Sequence, residues 1–261
     1  MRLRFILIYT FLVFSFSGTY GADRIIYNGT TYNLYNYPLQ FISKFKQWNT
    51  KPIFGEDAKI QRMFDQVPYY CTWIVQDDHI YLQSIKSDSL NANLLELFPD
   101  KYDNGLVLAD WIDTILYAPY GEMILSWDIT FSGKIYEYEL AFKVLKGEII
   151  SVEKCDNTMT KTKLLKDERL LRELIKKNTH WENLPESDTI DRRVYVQVAS
   201  TDNQGKIDSV KILKGVNDIY DREAVRIVKT IPEWPVIYNH GELSDWWIFP
   251  IVFDMSDKNK K

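Results

Sequence analysis

The chain has 261 residues and carries 36 acidic and 32 basic side chains, for a net charge of −4. Because there is no excess of basic residues, nucleic acid is not expected as a partner, and a hydrophobic content of 46% excludes an intrinsically disordered chain. This length corresponds to one or two folded units, and an aromatic content of 15% favours strands.

The first 22 residues have the layout of a secretory signal peptide. Arg2 and Arg4 precede an apolar run over residues 5–16, and small or polar residues follow as far as Ala22. The run is shorter than the roughly 20 apolar residues that cross a bilayer. We therefore expect cleavage after residue 21 or 22 and export to the periplasm. The alternative is an uncleaved N-terminus that anchors the chain in the inner membrane.

Export would place the two cysteines, Cys71 and Cys155, in an oxidising compartment that permits a disulfide. The alternative is that both thiols are buried as small apolar groups. A catalytic thiol is not expected, because neither cysteine has a histidine in its flanking sequence. The sequence leaves the disulfide and the buried thiols as open alternatives.

Residues 23–158 are predicted to form a β-rich antiparallel unit. The dipeptide Asn28-Gly29 lies between two stretches of alternating apolar residues, which is typical of a hairpin. Similar alternating stretches flank further predicted turns at Asp77-Asp78, Ser132-Gly133 and Lys146-Gly147. The pattern indicates an antiparallel meander with one buried face.

Helices are predicted in three places. Two short ones, over residues 41–48 and 58–64, are expected to cover the meander. Over residues 160–177 leucines recur at helical spacing among charged residues, which predicts an amphipathic helix. We assign residues 159–185 to this helix and its flanks, as a linker or as the opening of a second unit, with the charged face in solvent.

Residues 186–255 are predicted to fold in the order strand, strand, helix, strand. Alternating valines at 194–198 indicate the first strand, and a turn that ends at Gly205 leads into the second. The helix is expected to have Asp218 as its N-cap and to stop before Pro232. The last strand is expected over residues 246–253.

These elements resemble the C-terminal domain of the energy transducer TonB, in the form found in Bacteroidetes. The resemblance covers residues 171–253 and follows an ordered pattern: a Gly turn, an Asp-x-Glu-Ala helix start, a Pro-x-Trp corner, a Gly loop and a final aliphatic-Pro-aliphatic-x-Phe strand. The matching residues are Gly205, Asp221, Glu223, Ala224, Pro232, Trp234, Gly241, Pro250 and Phe253. The fold class implied for the whole chain is α+β, a β-rich unit followed by a small β-β-α-β domain.

The resemblance implies a protein-binding module without enzymatic activity or cofactor. In this family the last strand binds an extended peptide of an outer-membrane transporter by strand addition. The docking region implied here is Trp246, Trp247, Ile248 and Phe249. Pro250 lacks an amide donor, so its strand should lie at a sheet edge or turn the missing donor outward. The alternating pattern by itself places every second residue of this strand on one face, which is expected to pack in the core and not to bind a partner. These residues are Trp247, Phe249, Ile251 and Phe253.

The sequence departs from a working energy transducer in two respects. Its 9 prolines are scattered and form no Pro-rich stalk, and residues 236–240 replace the usual basic loop. Two alternatives therefore stay open. The chain could bind an envelope ligand or glycan through aromatic residues of the first unit, with Trp111, Trp127 and Tyr120 as candidates, or it could be a scaffold that forms a homodimer through its open edge.

An enzyme is not expected from the sequence. The histidines at 79, 180 and 240 lack metal-ligand spacing, and no nucleophile elbow, phosphate-binding loop or zinc-protease motif occurs. Asp110 and Asp113 flank Trp111, but 36 acidic residues make such neighbours common. Asp221 and Glu223 are expected to be capping or surface charges.

Overall fold

The computed structural model describes residues 22–56, 58, 60, 68–87, 90–127, 133–185, 190–245 and 247–258. The fold is α+β and rich in strands. Two hydrophobic cores divide it, one built from residues 25–144 and the other from residues 164–255. The predicted signal peptide lies outside the described residues except for Ala22. Among the described residues, none of the helices has the length and apolar character needed to cross a membrane.

The N-terminal unit contains nine strands and two single-turn α-helices among the described residues. The strands are β1 (Arg24–Tyr27), β2 (Thr30–Asn33), β3 (Tyr70–Gln76), β4 (His79–Lys86), β5 (Tyr102–Asp103), β6 (Leu106–Leu108), β7 (Thr114–Ser126), β8 (Lys134–Leu145) and β9 (Glu148–Asp156). The helices are α1 (Lys51–Phe54) and α2 (Leu94–Leu97), with 3-10 turns at Pro38–Phe41 and Ser43–Trp48.

The main sheet has the order β2-β1-β3-β4-β9-β8-β7. The prediction of a purely antiparallel unit was wrong at one pairing, because β1 and β3 run parallel. A parallel pair needs a long crossover, which the chain between β2 and β3 supplies. The sheet also curls until its two ends meet. The amide of Tyr35 donates to the carbonyl of Tyr117 at 2.9 Å, and the amide of Tyr117 donates to Asn36 Oδ1 at 2.7 Å.

The hairpin turns form where the sequence predicted them, at Asn28-Gly29, Asp77-Asp78 and Lys146-Gly147. Both residues of each turn have positive φ, the conformation that matches the twist of paired strands. Residues 128–132 lie outside the described residues, so the Ser132-Gly133 turn is described only from Gly133. The short helix expected over residues 41–48 is present as a 3-10 helix over Ser43–Trp48, with non-helical backbone at Lys46 and Gln47. Most of the expected helix 58–64 lies outside the described residues.

A buried carboxylate lies at the start of β1. Asp23 is 1% exposed, and its Oδ1 and Oδ2 accept hydrogen bonds from the Cys71 amide at 2.8 Å and from Trp73 Nε1 at 2.9 Å. Burial raises the pKa of Asp23 to about 7, although both hydrogen bonds oppose the shift. Burial also raises the pKa of the Cys71 thiol. Asp23 thus links the segment before β1 to β3.

The C-terminal unit has a small sheet covered by a helix. Its elements are α3 (Glu168–Asn178), a 3-10 turn (Trp181–Asn183), β10 (Arg192–Thr201), β11 (Ile207–Lys214), α4 (Asp218–Thr230), β12 (Tyr238–Asn239), β13 (Glu242–Leu243), β14 (Ile248–Phe253) and α5 (Met255–Lys258). The sheet is three-stranded and antiparallel in the order β11-β10-β14. The buried face of α4 packs on it.

The starts of two helices differ from the predictions. Asn217, not Asp218, caps α4, because the cap must be the extended residue before the first helical one. Its Oδ1 accepts from the amides of Ile219 at 3.0 Å and Tyr220 at 3.2 Å. Helix α3 begins at Glu168 and not at residue 160, because Asp167 caps it: its Oδ1 accepts from the Leu170 amide at 2.9 Å.

Candidate functional site

The strand β14 lies at an edge of the C-terminal sheet. Within the described part of the chain it pairs on one side only, with β10. Its residues alternate between exposed and buried along the whole strand. The buried face packs under α4, and the exposed face carries Ile248, Pro250 and Val252. Ile248 is 50% exposed and Val252 is 38% exposed.

A groove runs between β14 and α3. It has a volume of about 190 Å³. The side chains that line it are Arg172, Glu173, Ile175, Lys176, Trp181, Pro250, Val252 and Asp257. Ile175 and Trp181 are buried and form an apolar floor, while Lys176 and Asp257 form an ion pair at the rim. An apolar floor with a charged rim suits a segment that buries alternate side chains.

An ion pair with a buried carboxylate fixes α3 in this position. Glu223 of α4 is 5% exposed, accepts from the His180 amide at 2.7 Å and pairs with Arg226 at 2.7 Å. Burial on its own would raise the pKa of Glu223, but the hydrogen bonds from Arg226 and His180 lower it below its ordinary value. Arg226 also donates to the carbonyl of Asn178 at the end of α3. Glu223 is therefore a structural group between two helices and not a surface charge.

The docking residues implied by the resemblance do not share one surface. Ile248 is exposed, whereas Phe249 is buried, with its ring centroid 5.3 Å from that of Trp234. Trp247 is half-buried and packs against the second core. Trp246 lies outside the described residues. The alternation that placed Phe249 in the core is confirmed, and the exposed positions of the strand are Ile248, Pro250 and Val252.

The remaining motif residues have structural positions. Gly205 and Gly241 occupy turns with positive φ, and Asp221 Oδ1 accepts from the Val216 amide at 2.9 Å. The others contribute to the α4 corner or to the second core: Ala224, Pro232, Trp234 and Phe253.

The aromatic candidates of the N-terminal unit are likewise separated. Trp111 stacks on Phe98, with centroids 5.4 Å apart, and donates to the carbonyl of Pro38. Tyr120 stacks on Tyr138 with centroids 5.5 Å apart, and Trp127 is exposed. These three candidates do not form one platform.

The cysteines and the acidic pair are also dispersed. Both thiols are free: Cys71 is buried in the first core, and Cys155 is half-exposed on β9. Asp110 pairs with Lys101. Among the described residues, no group of three His, Cys, Asp or Glu side chains is spaced to hold a metal ion.

The structure also brings together residues that sequence reasoning did not connect. His240, in the turn between β12 and β13, contacts Glu139 of β8 at 2.6 Å. The two residues are 101 positions apart, and no local pattern signals such a contact.

No protein-family model, curated protein or solved structure matches the chain.

Proposed function

We propose that this chain is an exported, non-enzymatic envelope protein whose C-terminal unit binds an extended segment of another envelope protein. The segment adds to the free edge of β14 as a further strand and places side chains in the groove beside α3. An outer-membrane transporter of the TonB-dependent class is the proposed partner, on the strength of the sequence resemblance. The observation that carries the proposal is that β14 pairs on one side only, with β10, in the part of the chain that the structure describes.

The chemistry of the edge supports selective binding. An unpaired strand edge offers backbone donors and acceptors to an incoming strand. Pro250 interrupts this row because it has no amide hydrogen, so the edge is a poor template for indiscriminate pairing. The exposed side chains of Ile248 and Val252 would then lie beside alternate side chains of the bound segment.

The groove adds a second element of recognition. Its apolar floor at Ile175 and Trp181 lies beside Pro250 and Val252, at one end of the edge. Because α3 is held by the Glu223 network, the groove does not have to be ordered by the ligand, which lowers the entropic cost of binding.

Partner retention in detergent-solubilised native membranes tests the proposal. The double variant Ile248→Lys/Val252→Lys places charge on the exposed face of β14. A matched control is Leu213→Lys on β11, the opposite edge strand, where the side chain is 40% exposed. We expect the β14 variant to lose an envelope partner that the wild type and the control both retain. Equal retention by all three proteins would contradict docking at β14.

A further inference from the structure

The turn between β12 and β13 rests on the outer face of the N-terminal sheet. Tyr238 pairs with Leu243 and Asn239 with Glu242, so His240 and Gly241 are the two turn residues. Both have positive φ, 57° and 76°, as a two-residue hairpin turn requires. The imidazole of His240 stacks on Tyr117 of β7, with centroids 3.6 Å apart and the ring planes 20° apart.

Two buried polar side chains of the N-terminal unit hold both turn residues. Glu139 and Asn157 are each 0% exposed. Glu139 Oε2 lies 2.6 Å from His240 Nδ1, and Asn157 Oδ1 accepts from the Gly241 amide at 2.9 Å. Asn157 Nδ2 donates to Glu139 Oε1 at 2.9 Å and thereby joins the two contacts. Glu139 and Asn157 therefore bind each other, and each of them also binds one residue of the turn.

The contact is specific in chemistry as well as in shape. If the turn moved away, Glu139 would lose its His240 contact and Asn157 its bond to the Gly241 amide, and both would have to be replaced by hydrogen bonds to water. A Cβ atom added at Gly241 would lie 3.3 Å from Cys155 Cβ. The turn therefore covers β9 closely at this point, and a larger residue than glycine does not fit without displacement.

The same loop leads into the start of β14. Ile237 packs in a small cluster with Leu125 and Ile135 of the N-terminal hairpin, and Trp247 packs against that cluster. The Ser244 amide donates to the Ile237 carbonyl at 2.7 Å. The chain from residue 236 to residue 247 thus contacts the N-terminal unit at the turn and again just before β14.

We propose that the His240–Gly241 turn is a latch between the two units. When it is engaged, the Glu139–Asn157–His240 network holds the C-terminal unit on the N-terminal sheet and fixes the segment that enters β14. When it is released, the turn moves off the N-terminal sheet and the segment that enters β14 is no longer fixed there, while both cores stay folded. This inference concerns how the units are held together and does not depend on what β14 binds.

The native thiols report on the latch. Cys155 lies beneath the turn and is half-exposed, whereas Cys71 is fully buried in the first core. Cys155 therefore has a basal rate of alkylation by iodoacetamide while the turn is in place. An increase above that rate, followed by mass spectrometry on the full chain, measures displacement of the turn. Cys71 serves as an internal reference for unfolding of the N-terminal core.

Two variants open the latch by different means. His240→Ala removes the contact with Glu139, and Gly241→Ala adds a carbon against Cys155. Because Gly241→Ala adds cover, faster labelling in that variant requires the turn to move. The matched control is His180→Ala, in which the exposed imidazole is lost but the backbone amide that Glu223 binds is kept.

We expect alkylation of Cys155 to be faster than in the wild type by about threefold or more in both latch variants, because loss of a contact that holds the turn raises the population of the opened state. The control should match the wild type, and Cys71 should stay protected throughout. Unchanged labelling of Cys155 in both latch variants would overturn the proposal. A parallel rise at Cys71 would also overturn it, because it would show unfolding of the core and not release of the turn.

Discussion

The backbone amide of His180 donates a 2.7 Å hydrogen bond to the carboxylate of Glu223, which binds the segment after α3 to the middle of α4. Glu223 is 5% exposed and also pairs with Arg226. The groove beside β14 depends on this bond, because α3 forms one of its walls. The carboxylate of Glu223 thus fixes the position of the groove between α3 and β14, although Glu223 does not line that groove.

Replacing Glu223 by Gln should lower the free energy of unfolding by about 1–3 kcal/mol, since the charge-assisted bonds are lost in a buried position. Urea unfolding at neutral pH measures the effect. The control is Glu173→Gln on α3, whose carboxylate is 61% exposed beside Arg169. The control should change the unfolding free energy by less than about 0.5 kcal/mol. Equal effects of the two substitutions would contradict the structural role of Glu223.

The same carboxylate predicts a pH dependence. Because the folded protein lowers the pKa of Glu223, its stabilisation is complete above the ordinary pKa of 4.5 and is lost as the pH falls below that value. The difference in stability between the wild type and Glu223→Gln should therefore shrink as the pH is lowered from 5 to about 3. Denaturant midpoints across this range provide the measurement, and a constant difference would contradict the lowered pKa.

For Asp23 we expect the folding stability to change with pH in the opposite direction. Its pKa rises from 3.8 to about 7 in the folded protein, so the folded state binds a proton that the unfolded state releases. Stability should therefore be highest when Asp23 is protonated and should fall as the pH rises from about 4 to about 7. Asp23→Asn should remove this part of the slope. Denaturation of both proteins across that range tests it, and identical slopes would contradict the account.

Substitutions at Gly215 and Asp221 are expected to have strongly non-additive effects on stability. A Cβ atom at position 215 would lie far inside van der Waals contact with Asp221 Oδ2. Gly215→Ala should therefore displace the carboxylate that accepts the Val216 amide and lower stability by about 1–3 kcal/mol. In the Asp221→Ala background the same substitution should cost much less, because the clash is gone. A double-mutant cycle by urea unfolding measures this coupling, and additive effects would contradict it.

The two faces of β14 should respond differently to truncation. Ile251 is 0% exposed, so Ile251→Ala should cost about 2–5 kcal/mol through the cavity it leaves. Ile248 is 50% exposed, and Ile248→Ala should cost less than about 1 kcal/mol. Thermal or urea unfolding compares the two variants. A large loss on truncation of Ile248 would mean that this side chain is not free for a partner.

Local signals predicted much of the fold. Turn residues such as Asn28-Gly29 and Lys146-Gly147 encode their hairpins within a few positions, and the apolar spacing of α4 encodes its buried face. The parallel pairing of β1 with β3 has no local signal, because it depends on where a long crossover returns. The cap of α4 was predicted at Asp218, whereas the extended backbone conformation of a cap occurs at Asn217.

The candidate site was predictable in part. Alternation along β14 placed Phe249 in the core and Pro250 suggested an edge, both from residue types alone. The groove could not be predicted, because it depends on the packing of α3 against α4 through Glu223. The contact of His240 with Glu139 joins residues 101 positions apart, and sequence patterns carry no information on such distant polar pairs.

Site-specific photo-crosslinking in cells tests strand addition at β14 most directly. A photoreactive amino acid is placed at Ile248, at Val252 or, as the control, at Leu213, and crosslinked peptides are mapped by mass spectrometry. An added strand fixes a register, so adducts from positions 248 and 252 should fall on one partner segment about four residues apart, with none from position 213. Adducts that are scattered over the partner, or that form equally well from position 213, would contradict strand addition at this edge.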